Sequence, residues 1–392
     1  MPVDDMDGLS LSYTPGVAEP CREIHAHPEQ VFTYTNRANQ VAILTDGSAV
    51  LGLGDIGPEA SLPVMEGKAV LFKRFGGVDA FPILVRSQDP DDICRVMELI
   101  EPGFGGVNIE DIAAPRCFAV ERRLQASLAV PVFNDDQHGT AIVVGAAFIN
   151  AVRVANKTVG DVRIVINGAG AAGIAVARML LALGVNDLSL VDRLGLIYRG
   201  RPELNEEKES IAQHTNLDRR QGELAEAVRG ADVLIGLSVA GAFTMDMLSA
   251  MRPGSIVFAL ANPVPEIWPV QALEVGAAVV GTGRSDFPNQ INNVLGFPGV
   301  FRGTLDVRAR QISAGMHRAA SLAISELVGD ELRPDYIIPS PLDPKVAPAV
   351  AEAVARAAID EGLAQVTDLD PKEIGHRLAA LTGAEEEGGT PN

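Results

Sequence analysis

Cysteine is scarce in this chain. Cys21, Cys94 and Cys117 are its three, odd in number and far apart. That excludes a disulfide framework and a zinc-ligand spacing, and it points to a reducing compartment, the cytoplasm. No apolar run reaches 18 residues, so no segment is expected to span a membrane. Met1 to Gly8 is acidic and lacks the apolar core of a signal peptide. Lys and Arg number 32 against 51 Asp and Glu, which leaves a net charge of -19 and a pI near 4.7. Nucleic acid and anionic membranes both want a basic surface, so neither is an expected partner. An anionic substrate would need a local positive site. There is no internal repeat.

What is present suits a globular chain. Its 392 residues are 47% hydrophobic, enough for two or three domains with a large core. Gly 39 and Pro 25 imply many tight turns. The chain is organised around Asn134-Asp135-Asp136-Gln137-His138-Gly139. This stretch stands between a strand-like run, Leu128 to Phe133, and an apolar helix, Thr140 to Val154. A second acidic pair, Glu110-Asp111, closes the short run Gly106 to Ile109. Acidic pairs are common solvated turns. At strand ends they can also meet in one cleft, where hard divalent cations prefer oxygen ligands.

The first third reads as repeated strand and helix. Tyr13 lies on a loop constrained by Pro15-Gly16, and alone reads as a packed tyrosine. Val41 to Leu44 and Ala49 to Leu51 flank Thr45-Asp46-Gly47-Ser48, and Asp-Gly predicts a hairpin there. Gly52 to Gly57 fits a glycine-rich turn better than a phosphate loop. Pro63 to Phe75 looks helical and carries Lys68, a residue type usually solvated on such a helix. Asp89-Pro90 is a helix start, with an N-cap and a proline at the first position.

The strand Arg163 to Asn167 then runs into Gly168-Ala169-Gly170-Ala171-Ala172-Gly173 and a helix to Leu183. This G-x-G-x-x-G lies between strand and helix. Its glycines allow a tight turn, and the helix N-terminus offers N–H groups to a pyrophosphate. Leu188 to Val191 ends in Asp192, about 20 residues on, where a carboxylate accepts from a ribose hydroxyl. Asp192 favours NAD over NADP, although Arg193 beside it can pair with a phosphate. Strands follow at Val233 to Leu237, Ile256 to Leu260 and Ala278 to Val280, and helices at Ile312 to Val328 and Ala349 to Glu361. Asn262-Pro263 and Asn292-Asn293 stand at strand ends, where asparagines are usually structural.

Taken in order, the motifs resemble malic enzyme in its short prokaryotic form, over nearly the whole chain. They are Tyr-Thr-Pro-Gly-Val-Ala at 13–18, Thr-Asp-Gly with Leu-Gly-Leu-Gly-Asp within 45–55, Pro-Val-Met-Glu-Gly-Lys at 63–68 and Ile-Glu-Asp at 109–111. Phe-Asn-Asp-Asp-Gln-His-Gly-Thr at 133–140, the dinucleotide loop, Ala-Asn-Pro at 261–263 and Asn-Asn-Val with Phe-Pro-Gly-Val within 292–300 complete the set.

The resemblance implies an α/β chain: a substrate and metal domain over 1–136, then a Rossmann-type doubly wound parallel sheet over 137–292. A helical region over 293–382 would pack back on the first domain, with a disordered tail at 383–392. It implies oxidative decarboxylation of L-malate to pyruvate and CO₂ with NAD or NADP and Mg²⁺ or Mn²⁺. Glu110, Asp111 and Asp136 match the metal ligands, Lys68 the general base, Tyr13 the general acid and Asp135 the acid supporting the lysine. Asn262, Asn292 and Asn293 are expected at the substrate, and Asn262 also beside the cofactor bound by Gly168, Gly170, Ala171, Ala172, Gly173, Asp192 and Arg193. Burial beside a metal is expected to lower the Lys68 pKa.

Three departures stand out. Ala49 occupies the position of a substrate-pairing arginine in the larger enzymes, which leaves the malate carboxylate without an assigned partner. Tyr13 has only twelve residues before it, so an N-terminal helix is expected to be missing. No phosphotransacetylase-like extension is expected at the C-terminus. A homodimer or higher oligomer is implied, with Tyr13 and Lys68 serving different clefts. The alternatives are a metal-dependent oxaloacetate decarboxylase with poor hydride transfer, a plain dehydrogenase of another substrate, and a non-enzymatic dinucleotide sensor.

Overall fold

The computed structural model describes residues 3–50 and 52–382. The tail expected at 383–392 and the end of the strand expected at Leu51 lie outside them. Two sheets carry the fold. The first is wholly parallel, in the order β2-β1-β3-β4, from β1 (Gln40–Thr45), β2 (Asp79–Leu84), β3 (Gly106–Ile109) and β4 (Val132–Asn134). The second contains β5 (Arg163–Asn167), β6 (Asp187–Asp192), β7 (Gly195–Leu196), β8 (Val233–Gly236), β9 (Ile256–Ala259) and β10 (Val279–Thr282). Its order is β10-β9-β8-β5-β6-β7, parallel except for the short edge strand β7.

The apolar runs explain this choice. Every residue of β3, β8, β9 and β10 is buried, as strands covered on both faces require. The chain crosses from β5 to neighbours on both sides, so the sheet has a switch point between β5 and β8, where such folds open a crevice.

The expected hairpin at Asp46-Gly47 does not form. β1 pairs in parallel with β2 and β3, both far along the chain, because its apolar residues Val41–Leu44 are worth more between two strands than beside one turn. The helix Thr140–Val154 is apolar all round and buried, and it packs against the helices Ala171–Ala182 and Ala314–Glu326. The helix Phe297–Asp306 returns to the first sheet. There Phe297 and Phe301 meet Phe72 of the helix Gly57–Gly76 at ring distances of 4.6 and 5.2 Å. C-terminal helices therefore pack back on the first sheet, as expected.

The N-terminal arm behaves differently. The helices Met6–Ser12, Ala18–Ala26 and Val31–Tyr34 contain no buried residue.

Candidate active site

Parallel strands deliver their C-terminal ends to one edge. Glu110 follows β3, Asp135 and Asp136 follow β4, and a five-residue π-helical turn, Asp135–Gly139, leads into the buried helix. The Asn134 side chain accepts from the Gln137 N–H and so caps that turn. Ligand oxygens of Glu110, Asp111 and Asp136 all lie within 4.8 Å of one another. The Asp111 N–H also donates to Asp136 Oδ2 at 2.8 Å.

Lys68 reaches this cluster from the helix Gly57–Gly76. The buried residues there are Ser61, Met65, Lys68, Phe72 and Gly76, spaced as one helical face. Lys68 is thus no solvated lysine. Its Nζ donates to Glu110 Oε1 at 2.8 Å and to Asp135, and lies 4.2 Å from the centre of the Phe297 ring. Asn108 donates to the other Glu110 oxygen at 2.8 Å, and Asn293 donates to Asp135 Oδ2. Asn292 caps its own short turn, accepting from the Val294 N–H.

Charge in this cleft is unbalanced. Four buried or half-buried carboxylates face one ammonium. Burial pushes the Asp135 carboxyl up to about 7 against the pull of Lys68, with Glu110 adding to the rise. Burial, Glu110 and Asp111 together push Asp136 well above the carboxylate range. Burial alone would lower the Lys68 pKa, but the Asp135 and Glu110 charges outweigh it and hold the ammonium above its ordinary value. The expected fall does not come from the protein alone. Three convergent oxygen donors with surplus negative charge fit a hard divalent cation.

The glycine loop Gly168–Gly173 is tightly packed. A side chain at Gly168 would meet Leu237 O at 2.2 Å, and one at Gly173 would meet Gly168 O at 1.8 Å, so neither position admits a Cβ. Gly170 faces open space at the N-terminus of the helix Ala171–Ala182. Beside it is a cavity of about 590 Å³, walled by Gly168, Gly170, Asp192, Arg193 and Lys208. Ala114 and Pro115, only a few residues beyond Asp111, also line it. One loop therefore joins the carboxylate cluster to the cavity beside the glycine loop.

Asp192 differs from expectation in its company. Arg201 donates to both its oxygens, at 2.9 and 2.6 Å, and Lys208 to one at 2.6 Å. Burial would raise its pKa, but these cations bring it down to about 2. Neither Arg201 nor Lys208 is marked in the sequence as its partner, because both arrive only after the chain reverses at β7. Asn262 is exposed, with its side chain against Gly283, and it does not line the cavity beside the glycine loop. Tyr13 is 68% exposed and makes no hydrogen bond to the cluster around Lys68 among the described residues.

Comparison with known proteins matches residues 2–90 to the malic enzyme N-terminal domain and residues 137–359 to the malic enzyme NAD-binding domain. A bifunctional malic/malolactic enzyme of Bacillus subtilis is 56% identical over 376 residues, covering 95% of this chain and 92% of that protein. An NAD-dependent malic enzyme of Geobacillus stearothermophilus is 50% identical, over 93% of this chain and 76% of that one. Other relatives near 47% identity are named NADP-dependent. The crystal structure of malic enzyme from Pyrococcus horikoshii superposes with a TM-score of 0.94 at 45% identity, over 99% of this chain and 91% of that one.

Proposed function

The chain belongs to the malic enzyme family, whose reaction is the oxidative decarboxylation of malate, and on that premise we propose the roles of its residues. The observation that carries the reading is Lys68, held by Glu110 and Asp135 at the rim of a three-carboxylate cluster that one loop connects to the nucleotide crevice. Glu110, Asp111 and Asp136 would hold Mg²⁺ or Mn²⁺, which when bound supplies the Lewis acidity that acidifies the malate C2 hydroxyl. Once Glu110 is engaged by the cation, Lys68 loses one of the two carboxylates that hold its ammonium, and as the neutral amine it takes that proton, while Asp135 fixes the Lys68 Nζ and Asn293 fixes Asp135. Gly168, Gly170 and Gly173 let the pyrophosphate approach the N–H groups of Ala171 and Ala172. Asn262 and Asn293 contact malate, whereas Asn292 serves its turn.

For the cofactor, the reading is supported by the charge around Asp192. Arg193, Arg201 and Lys208 outnumber the single carboxylate, which weakens the argument for NAD and suits a ribose 2′-phosphate as well. The reading is that both NAD and NADP are reduced. The test follows absorbance of reduced nicotinamide with L-malate and Mn²⁺, with each cofactor in parallel and an EDTA control. Pyruvate and lactate are assayed at the end. Metal-dependent reduction with equal pyruvate is expected. Reduction without pyruvate would make this a plain dehydrogenase, and pyruvate only from added oxaloacetate would make it a decarboxylase.

Tyr13 gives the proton to C3 of the enol product, and the proposal is that it does so in the cleft of a second copy. An arm with no buried residue, bearing exposed Met6, Leu9, Leu11 and Tyr13, supports that. Activity per chain is then expected to vanish on dilution below the dimer dissociation constant, and constant specific activity down to monomer would refute it. The three unpaired cysteines accord with a cytoplasmic setting, and among the described residues no helix is long and apolar enough to cross a membrane.

A further inference from the structure

We infer that Asp46 and Ser48 are positioning residues that clamp the turn carrying Asp111 against the helix carrying Lys68, and so set the Asp111 carboxylate for a divalent cation. The inference rests on the cation site proposed above. Neither residue belongs to the carboxylate cluster itself.

Both are buried, at the end of β1. Asp46 Oδ1 accepts from the Ser48 N–H at 3.0 Å and from the Ser48 hydroxyl at 2.6 Å. With its hydrogen committed to Asp46, the Ser48 oxygen accepts from the Ala113 N–H at 2.9 Å. The next residue, Ala49, donates its N–H to Asp111 O at 2.9 Å. Residues 48 and 49 thus hold both ends of the turn Asp111-Ile112-Ala113. That turn needs holding. Asp111 has φ of 55°, a left-handed conformation that a non-glycine residue keeps only when its surroundings impose it.

The other side of the clamp grips the lysine helix. Gly47 O accepts from the N–H groups of Ile56 and Gly57, at 3.2 and 3.1 Å, where the helix Gly57–Gly76 begins. Gly47 has φ of 68°, and a Cβ there would meet Gly57 O at 2.3 Å. The four residues Asp46 to Ala49 therefore connect the start of the Lys68 helix to the Asp111 turn through a continuous set of hydrogen bonds. Arg116 adds a longer contact to Asp46 Oδ2 at 3.4 Å. Groups that orient metal ligands from behind typically change affinity 10- to 100-fold when removed.

The test is Mn²⁺ binding to the full chain, read by the electron paramagnetic resonance signal of free Mn²⁺, with NAD(P) binding measured separately. Ser48→Ala is expected to weaken Mn²⁺ binding about tenfold and to leave NAD(P) binding within about twofold. Asp46→Asn, which keeps the side-chain shape, is expected to move Mn²⁺ binding in the same direction, and it decides the matter if Ser48→Ala fails to fold. A residue that only stiffened the fold would lower the metal-free thermal midpoint without moving Mn²⁺ affinity. Parent and variant binding Mn²⁺ equally would overturn the clamp alone. A parent that binds no Mn²⁺ would overturn the cation site and the clamp together.

Discussion

Lys68→Met is expected to lower kcat by about 10²- to 10⁴-fold, the range for loss of a general base, while Mn²⁺ still binds. Methionine keeps most of the lysine stem, so the buried face of Ser61, Met65 and Phe72 stays filled. What goes is the ammonium that donates to Glu110 and Asp135. Breaking a buried pair from one side costs about 3–5 kcal/mol because the other charge remains buried. The metal-free variant should therefore be markedly less stable than the parent. Glu110 is also freed to bind a cation, so added Mn²⁺ should recover much of that stability. Steady-state kinetics beside Mn²⁺ titration separates the cases. Normal turnover would remove Lys68 from the chemistry, and loss of Mn²⁺ binding would make it a structural member of the cation site.

The sequence displayed the pieces of this site better than their environment. The strand Arg163–Asn167 and the helix Thr140–Val154 were readable to the residue, because apolar runs bounded by glycine or acidic turns leave little choice. Asp89 was readable as a cap for the same kind of local reason, and its side chain accepts from the Asp91 N–H. Asp46-Gly47 misled because turn chemistry is local while β1 is claimed by strands about 40 and 65 residues away.

Lys68 taken singly reads as a solvated lysine. Its spacing from Met65 and Phe72 marks it as the polar member of a buried stripe, and that periodicity was available. The partners of Asp192 were not, since nothing in a one-dimensional pattern says that Arg201 and Lys208 fold back over a strand end. The same holds for Ser48, whose importance lies in a backbone N–H 65 residues on.

Asp136→Asn should separate function from stability. It removes one of three clustered oxygen ligands, so Mn²⁺ affinity is expected to fall by at least about 100-fold and turnover with it. Without metal the same change should stabilise the protein. Burial and the neighbouring Glu110 and Asp111 charges raise the Asp136 pKa, which means the folded state disfavours its ionised form. The sign in pH follows. A carboxyl whose folded pKa lies above its unfolded value binds more protons folded than unfolded between the two. Stability then falls as pH rises through that window. For Asp135 the window runs from about 4 to about 7, and Asp136 contributes in the same direction. Asp192, held near 2, acts oppositely but only below its unfolded value, so the two effects do not overlap. Metal-free protein should therefore lose thermal stability between about pH 5 and pH 7, the upper part of that window. Saturating Mn²⁺ should flatten the loss in the parent but not in Asp136→Asn. A parent whose metal-free stability rises over that range would show that the acidic cluster is relieved by some other means, and would deprive the cation site of its electrostatic argument.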